Sequence, residues 1–534
     1  YAALMREAKR VHDFGFTASE YQRAKDEFMS HVDKTYENRA KMKNEQFTTQ
    51  YVDHFISNEP IPSVEDETQI YKMVVPRLSV DVVNSAVKQL ICTTDTNLVS
   101  MVFMHEAEGA VYPTEQELAD IVKQVRSEKL EAYVDNVKQE PLMAQAPKAG
   151  NIGYAAYQND PINAQNASAV WGLSGLGEFS SNDLEKALAG KQCGVDFSFS
   201  TFRHGLSGTT TPKDLETMMQ LVYLNMTNVT KDQKAFDNMK NTYTTVLANK
   251  SNNPRLVYQD SVQSTLYLGS KLARIPEASD IQSIDYDACL EMWHQLYSNA
   301  KDFTFYFVGN YDEKVLLPLI EQYIASLPNQ GMKIKIKNQP MPCATGKVSN
   351  VFTKAMENPQ SQAREMWFAK MPYTQKSSVL ADMAARLLEM KYLRSIREEL
   401  SAAYSAGAIY GVFFDADNKV QITINGMAQL NPEKADVAIP CFFKGMDEVI
   451  AKVDADDLQK VKEILLKQAG VDEKTNGYWI QTLGMFDLHK VDNYSNYKNL
   501  VKSIDGAQIS DFLKNVILKS GNHVEVIMKG EKNK

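Results

Sequence analysis

Two imidazoles one helical turn apart, with a glutamate between them, let a helix hold zinc and activate a water molecule. Histidines are therefore the first residues to place, and there are eight: His12, His31, His54, His105, His204, His294, His489 and His523. No two stand four residues apart, so neither H-E-x-x-H nor H-x-x-E-H occurs. His105-Glu106-Ala107-Glu108 comes nearest, and Gly109 stands where a second ligand would be. Lone histidines of this kind are expected to be hydrogen-bonded structural groups, and no catalytic or metal-binding residue is assigned from them. The five cysteines, Cys92, Cys193, Cys289, Cys343 and Cys441, lie far apart and never form C-x-x-C. That spacing excludes a cysteine zinc site and the usual redox motif, and the odd count leaves at least one thiol free.

Two glycine clusters fail as catalytic or phosphate-binding loops. Gly172-Leu173-Ser174-Gly175-Leu176-Gly177 is not G-x-S-x-G, because Leu176 occupies the last glycine position, and its order is not that of a dinucleotide turn. Gly190-Lys191 is followed by Gln192 and has no glycine five residues earlier. Both are expected to be turns or helix boundaries.

The elements around these residues form an internal repeat. Each copy opens with a capped helix: Thr17 with Glu20, Thr230 with Gln233, and Asp454 with Asp457. Some 50 to 62 residues on, a second helix opens at Ser79, Asp285 or Asp505. Its apolar face repeats as Val83, Ala86, Val87, Leu90, Ile91; Cys289, Met292, Trp293, Leu296, Tyr297; and Ile509, Phe512, Leu513, Val516, Ile517. A strand is then predicted at Leu98–Met104, Phe303–Val308 and Val524–Met528. Three copies of helix, helix, strand imply related domains in which helices cover a sheet, the first about half present. Between copies one and two, Thr114 and Glu117 form a capping box. Leu118, Ile121, Val122, Val125, Leu130, Tyr133, Val134 and Val137 then make a helical stripe, and Pro147 to Ala169 is predicted to be a loop.

The 534 residues exceed one hydrophobic core. With 44% hydrophobic and 23% charged residues the chain has a globular composition, and its net charge of -9 argues against nucleic acid. No apolar run reaches the ~18 residues that suggest a membrane span. The sequence opens at Tyr1 inside an expected helix, without an initiator Met or signal peptide, so a fragment is expected.

Three stretches resemble the pitrilysin/insulinase family of zinc metallopeptidases, in the bacterial form that joins two homologous halves in one chain. They are Gly172 to Lys191 with Asp214 to Leu221 following; Phe307-Val-Gly-Asn-Tyr-Asp312 with its helix to Leu327-Pro328; and Ile396-Arg-Glu-Glu-Leu-Ser-Ala-Ala-Tyr-Ser405. The resemblance implies an α+β fold of repeated domains, each a sheet covered by helices, forming half of a clam shell. It divides the chain into a truncated second domain (1–105), a helical connector and loop (106–168), an inactive third domain (169–330) and a fourth (331–534). Zinc would be bound by the N-terminal catalytic half, which is the expected partner, and none by this portion. In the family, an arginine and a tyrosine seven residues apart reach peptide substrate; here they fall on Arg397 and Tyr404. A guanidinium fork suits peptide carbonyls, and a phenol O–H suits the developing oxyanion.

The chain departs from the family in two places. Ser401-Ala402-Ala403 replaces the turn where a glycine often sits, and Pro147-Lys-Ala-Gly150 runs almost directly into Asn163-Ala-Gln-Asn-Ala-Ser168, where a hairpin and buried strand are usual. The resemblance implies the C-terminal, non-catalytic portion of a peptidase, inactive alone, in the periplasm or envelope of a Gram-negative bacterium. The alternatives are a catalytically dead partner subunit and a cytoplasmic location.

Overall fold

The computed structural model describes residues 1–94, 98–103, 112–135, 160–200, 203–270, 273, 275–329, 343–414 and 419–532. They fall into two compact units. One comprises Tyr1–Ala146, Gly175–Val195 and Gly208–Leu224, and the other Pro147–Ser174, Asp196–Ser207 and Asn225–Lys534.

The first unit is mainly helical. Thr17 caps the helix Ala18–Asn38 with the expected reciprocal box to Glu20, and Thr114 does the same for Glu115–Ser127. Arg6 forks onto Glu128 at 2.6 and 2.8 Å, tying the helix Ala2–Phe14 to the end of Glu115–Ser127. Asp135 is the buried anchor of this unit, held by Ser19 at 2.7 Å, Arg23 at 2.5 Å and Lys186 at 3.0 Å. Burial alone would raise its pKa, but these donors outweigh burial and hold the carboxyl below its ordinary range.

Several expectations fail in this unit for physical reasons. The helix Val80–Leu90 forms, yet Ala86 and Leu90 on its apolar face are exposed, and Val83, Val87 and Ile91 are only half-buried. Leu98–Phe103 pair with no strand, and Met104 lies outside the described residues. The two failures have one cause: without a neighbouring ladder these residues make no sheet for the helix to cover. The stripe after Val125 also ends early. The helix stops at Ser127, Leu130, Tyr133 and Val134 are non-helical, and Val137 lies outside the described residues.

The second unit begins with a helix where a loop was expected, Pro161–Gly172. Asp160 accepts from the Asn163 N–H at 3.2 Å, and Pro161 takes the first helical position, where a missing N–H costs nothing. Seven of its twelve residues are buried around the helix, so no amphipathic period marks it. The remainder of the expected loop, 147–159, lies outside the described residues. The next cap also shifts: Asp232, not Thr230, accepts from Ala235 N–H at 3.0 Å, while Thr230 sits in a two-residue strand. Asp285 caps Tyr286–Tyr297 as expected, with Cys289, Met292, Trp293 and Tyr297 buried. Phe303–Val308 makes no ladder and is not a strand; Phe303 instead packs on Tyr297 and His204.

The sheet that positions the candidate site contains β1 (Lys347–Met356), β2 (Ser361–Pro372), β3 (Ala403–Phe414), β4 (Lys419–Leu430) and β5 (His523–Lys532). Their order is β1-β5-β2-β4-β3; only β1 and β5 run parallel. The predicted strand Val524–Met528 is the centre of β5. One face of the sheet, with Ala363, Trp367, Ile422 and Ile424, packs on Met383, Leu387 and Tyr392 of α1 (Gln375–Tyr392) and on Phe442 of α2 (Pro440–Ala451). The other face, with Met366, Phe368, Val524 and Val526, packs on Tyr258, Val262 and Leu266 of the helix Pro254–Leu266. A sheet covered on both faces explains the long apolar run of β2.

Two glycines permit this packing. A Cβ at Gly426 on β4 would lie 2.7 Å from Phe442, and one at Gly445 on α2 would lie 2.8 Å from Tyr392. Tyr392 is fully buried between them and donates its hydroxyl to the Phe442 carbonyl at 3.1 Å. Beyond α2, Asp454 caps α3 (Ala455–Asp472) through the Asp456 and Asp457 N–H groups, while Asp457 turns to Lys460 at 3.2 Å instead of reaching back. Then follow α4 (Asn476–His489), α5 (Tyr497–Ser503) and α6 (Gly506–Asp511), the last opened by Asp505. Ile509, Phe512, Leu513 and Ile517 are buried as the repeat implied, with Val516 half-buried.

Candidate functional site

Arg397 and Tyr404 sit on either side of the junction between α1 and β3. From Leu393 to Glu399 the α1 helix widens into a π-turn, a form common where function distorts a helix. Ile396 is fully buried there and fixes the turn, while Arg397, the next residue, is exposed. The chain then reverses through Ser401, whose φ of 47° is left-handed, a conformation that costs a non-glycine residue about 1–2 kcal/mol. This is the place where the resemblance led us to expect a glycine.

Four hydrogen bonds from three donor groups hold the strained turn. The Ala402 N–H donates to the Ile396 carbonyl at 2.9 Å, and the Asn431 N–H donates to the Ala402 carbonyl at 2.8 Å. Lys434 supplies the third attachment, with Nζ donating to the Leu400 carbonyl at 2.8 Å and to that of Ser401 at 3.2 Å. Nothing in the sequence reading drew attention to Lys434. Its signal is weak: it follows Asn431-Pro432, and the Asn431 side chain caps the short turn that delivers it.

Tyr404 owes its direction to a break in the ladder. Ala403 pairs with Leu430 and Ser405 with Gln429, so two steps along β3 match one along β4 and Tyr404 is the extra residue. A bulge of this kind re-aims a side chain. Tyr404 is 89% exposed, and the Arg397 guanidinium carbon lies 5.6 Å from its ring centroid. The structure thus brings the two predicted residues together, with the ring face toward the cation. At an exposed site such a contact contributes about 0.5–1 kcal/mol, enough to orient both groups without holding them rigid. The guanidinium N–H groups and the phenol O–H then stand as neighbouring donors facing solvent, an arrangement suited to two oxygens of one extended chain.

Five of the described histidines make structural contacts. His12 meets Asp13 at 3.0 Å, and His54 meets the Glu59 carbonyl at 2.6 Å. His204 is enclosed by Tyr297 and Phe303, and burial pushes its pKa down. His489 accepts from Arg203 at 2.6 Å and stacks on Phe414, and His523 pairs with Glu365 at 2.7 Å. His105 lies outside the described residues. Among the described residues no group of three or more His, Cys, Asp or Glu side chains is placed to hold a metal ion.

Residues 283–465 match the family model of the peptidase M16 inactive domain. The chain is 21% identical over 521 residues to a zinc protease PQQL-like protein of Arabidopsis thaliana, covering 89% of this chain and 53% of that one. It is also similar in structure to the periplasmic protease PqqL from Escherichia coli, with TM-score 0.63, 17% identity, and coverage of 99% of this chain and 63% of that one. A peptidase M16 inactive domain from Pseudomonas fluorescens superposes with TM-score 0.56 and 16% identity, over 70% of this chain and 89% of that one. The chain spans about half the length of the curated relatives it matches.

Proposed function

We propose, from the match of residues 283–465 to the peptidase M16 inactive domain, that this chain belongs to the M16 zinc peptidases and is the C-terminal, non-catalytic portion of an endopeptidase. Its partner is an N-terminal catalytic half of the same protein, and the substrate is a peptide enclosed between the halves. The division proposed is a partial second domain at 1–105, a connector at 106–168, a third domain at 169–330 and a fourth at 331–534. The zinc, bound by the partner half, would supply the polarised water. The periplasmic description of the E. coli structure supports an envelope location, and among the described residues no helix is long and apolar enough to cross a membrane.

The observation that carries the reading is the bulge that turns Tyr404 outward beside Arg397. Arg397 would grip peptide carbonyls, which strengthens substrate and transition state alike. Tyr404 would donate to the oxyanion that forms only as the scissile carbonyl becomes tetrahedral. The half-exposed apolar face of Val80–Leu90 supports a missing neighbour, since the rest of its domain would come from the upstream sequence.

Complementation tests the proposal. The chain alone should not hydrolyse an unfolded peptide, and mixing it with the upstream half should restore turnover. Tyr404→Phe should then lower kcat about 10- to 100-fold with little change in KM, and Arg397→Ala should mainly raise KM. Turnover indifferent to both substitutions would remove these roles, and no turnover with any upstream half would favour a scaffold subunit.

A further inference from the structure

A concavity lies in the angle between the first half of α1, the end of α3, the start of α4 and β3. It is a cavity of about 340 Å³, within the range of small-ligand sites. Its walls are unusual for a packing defect, which is normally lined by aliphatic groups. Four tyrosines, Tyr373, Tyr410, Tyr478 and Tyr497, face it together with Asp382 and Gln375. The ionisable carboxylates Asp382 and Asp472 outnumber the one guanidinium, Arg386, so the lining carries one net negative charge.

Each polar group leaves something for a ligand to do. Arg386 serves the Asp382 carboxylate through Nε at 2.7 Å, and the Asp382 side chain keeps 17% of its surface exposed. Burial pushes its pKa up, with Arg386 only partly opposing this, so a further cation there would be welcome. The phenols of Tyr373, Tyr410 and Tyr497 are pushed up as well, by burial first, and stay neutral, and aromatic rings in a cavity lining attract a cation. On the same wall, Gln375 Nε2 is buried without a hydrogen-bond partner. A buried amide N–H₂ calls for an acceptor, which no ammonium or guanidinium can offer.

We propose that this cavity binds a basic amino-acid residue, its ammonium or guanidinium against Asp382 among the tyrosine rings and its carbonyl oxygen accepting from Gln375. The ligand is thus a cation carried on a carbonyl-bearing body. The source is either an arginine or lysine within a peptide or the free amino acid. Only the peptide source draws on the reading of this chain as a substrate-binding half.

Calorimetry on the whole chain tests this with N-acetyl-arginine amide as probe. Saturable binding is expected, weakened at least tenfold in the uncharged isostere N-acetyl-citrulline amide and several-fold in agmatine, which lacks the carbonyl. Asp382→Asn should reduce affinity at least tenfold, and Gln375→Leu should abolish the preference over agmatine. Because Asp382→Asn could disturb the fold, Gln481→Arg provides a second variant. Gln481 is an exposed residue of the lining, and an arginine there would occupy the site from within and block the probe without lowering the melting temperature. Tight binding of an internal-arginine heptapeptide with weak binding of free arginine assigns a peptide side chain, and the reverse assigns the free amino acid. Equal binding of the arginine and citrulline probes, or affinity unchanged in both Asp382→Asn and Gln481→Arg, would overturn the proposal. No hydrolysis is measured, so failure here leaves the roles of Arg397 and Tyr404 standing.

Discussion

Glu365 and Glu525 stand directly opposite each other on β2 and β5, with Glu365 fully buried and His523 at 2.7 Å from its carboxylate. Two facing carboxylates in a covered sheet cannot both ionise without cost. Burial is the largest influence on Glu365; His523 opposes it, Glu525 reinforces it, and the pKa is pushed up to about 7.

The sign of the resulting pH dependence follows. Glu365 holds its proton in the folded chain at pH values where an unfolded glutamate, near 4.5, has lost it. Its contribution is fully present below that value and is lost as pH rises toward 7. Glu365→Gln, which keeps a donor N–H₂, should match the parent at pH 4.5 and exceed it at pH 8 by about 2–3 kcal/mol. Urea titrations at the two pH values check this; parallel curves for parent and variant would refute it.

The acid limb should depend on another residue. Asp135, held below its usual range by Arg23, Ser19 and Lys186, contributes stability above the ordinary aspartate pKa that is lost as pH falls below it. Asp135→Ala leaves Arg23 and Lys186 without their shared acceptor and should cost about 2–4 kcal/mol at neutral pH. Hydrogen exchange should show the loss in Ala18–Asn38 and leave the five-stranded sheet protected.

The turn between Arg397 and Tyr404 gives a pair of opposed predictions. Ser401→Gly removes the left-handed strain at φ 47° but adds freedom to the unfolded chain, so stability should change by less than about 1 kcal/mol. Lys434→Met removes a charged donor from two carbonyls and should cost about 1–3 kcal/mol. In the complemented enzyme Lys434→Met should also lower kcat, whereas Ser401→Gly should not. Equal kinetics for the two would mean that the strap does not position Tyr404.

Gly426→Ala should be among the most damaging conservative substitutions in the sheet. The added methyl would meet the Phe442 ring at 2.7 Å, with Tyr392 close behind, and neither ring has space to retreat. A cost of about 1–3 kcal/mol is expected, read from the shift in the thermal midpoint. Gly470→Ala, where a Cβ would meet nothing within 4 Å, is the control and should leave the midpoint unchanged or slightly higher.

The parts of the fold legible in sequence were those written in local chemistry. Caps at Thr17, Ser79, Thr114, Asp285, Asp454 and Asp505 all hold, because a short polar side chain needs only the next turn of helix to act on. Pro161–Gly172 was hidden by burial on all sides, which erases amphipathic periodicity. Leu98–Phe103 and Phe303–Val308 have strand-like composition, but a strand exists only where another completes its hydrogen bonds. The resemblance singled out Arg397 and Tyr404 as expected substrate contacts, and the structure places the two side chains beside each other. The bulge, the strained turn and Lys434 were invisible, since each depends on register with residues 24 to 34 positions away in sequence, from Ser405 paired with Gln429 to Leu400 bonded by Lys434.

The bulge at Tyr404 also affects how this chain behaves in company. Among the described residues β3 ends the sheet, and no strand pairs with its outer edge, where Ile409 and Phe413 are half in solvent. Such an edge invites a second copy to add a strand and begin a fibre. At the Tyr404 end an incoming strand would meet one residue too many, and its alternation would fall out of step. The irregularity that aims the tyrosine thereby shortens the stretch on which copies of the chain could stack, leaving Ser405–Phe414 as the segment to guard during concentration.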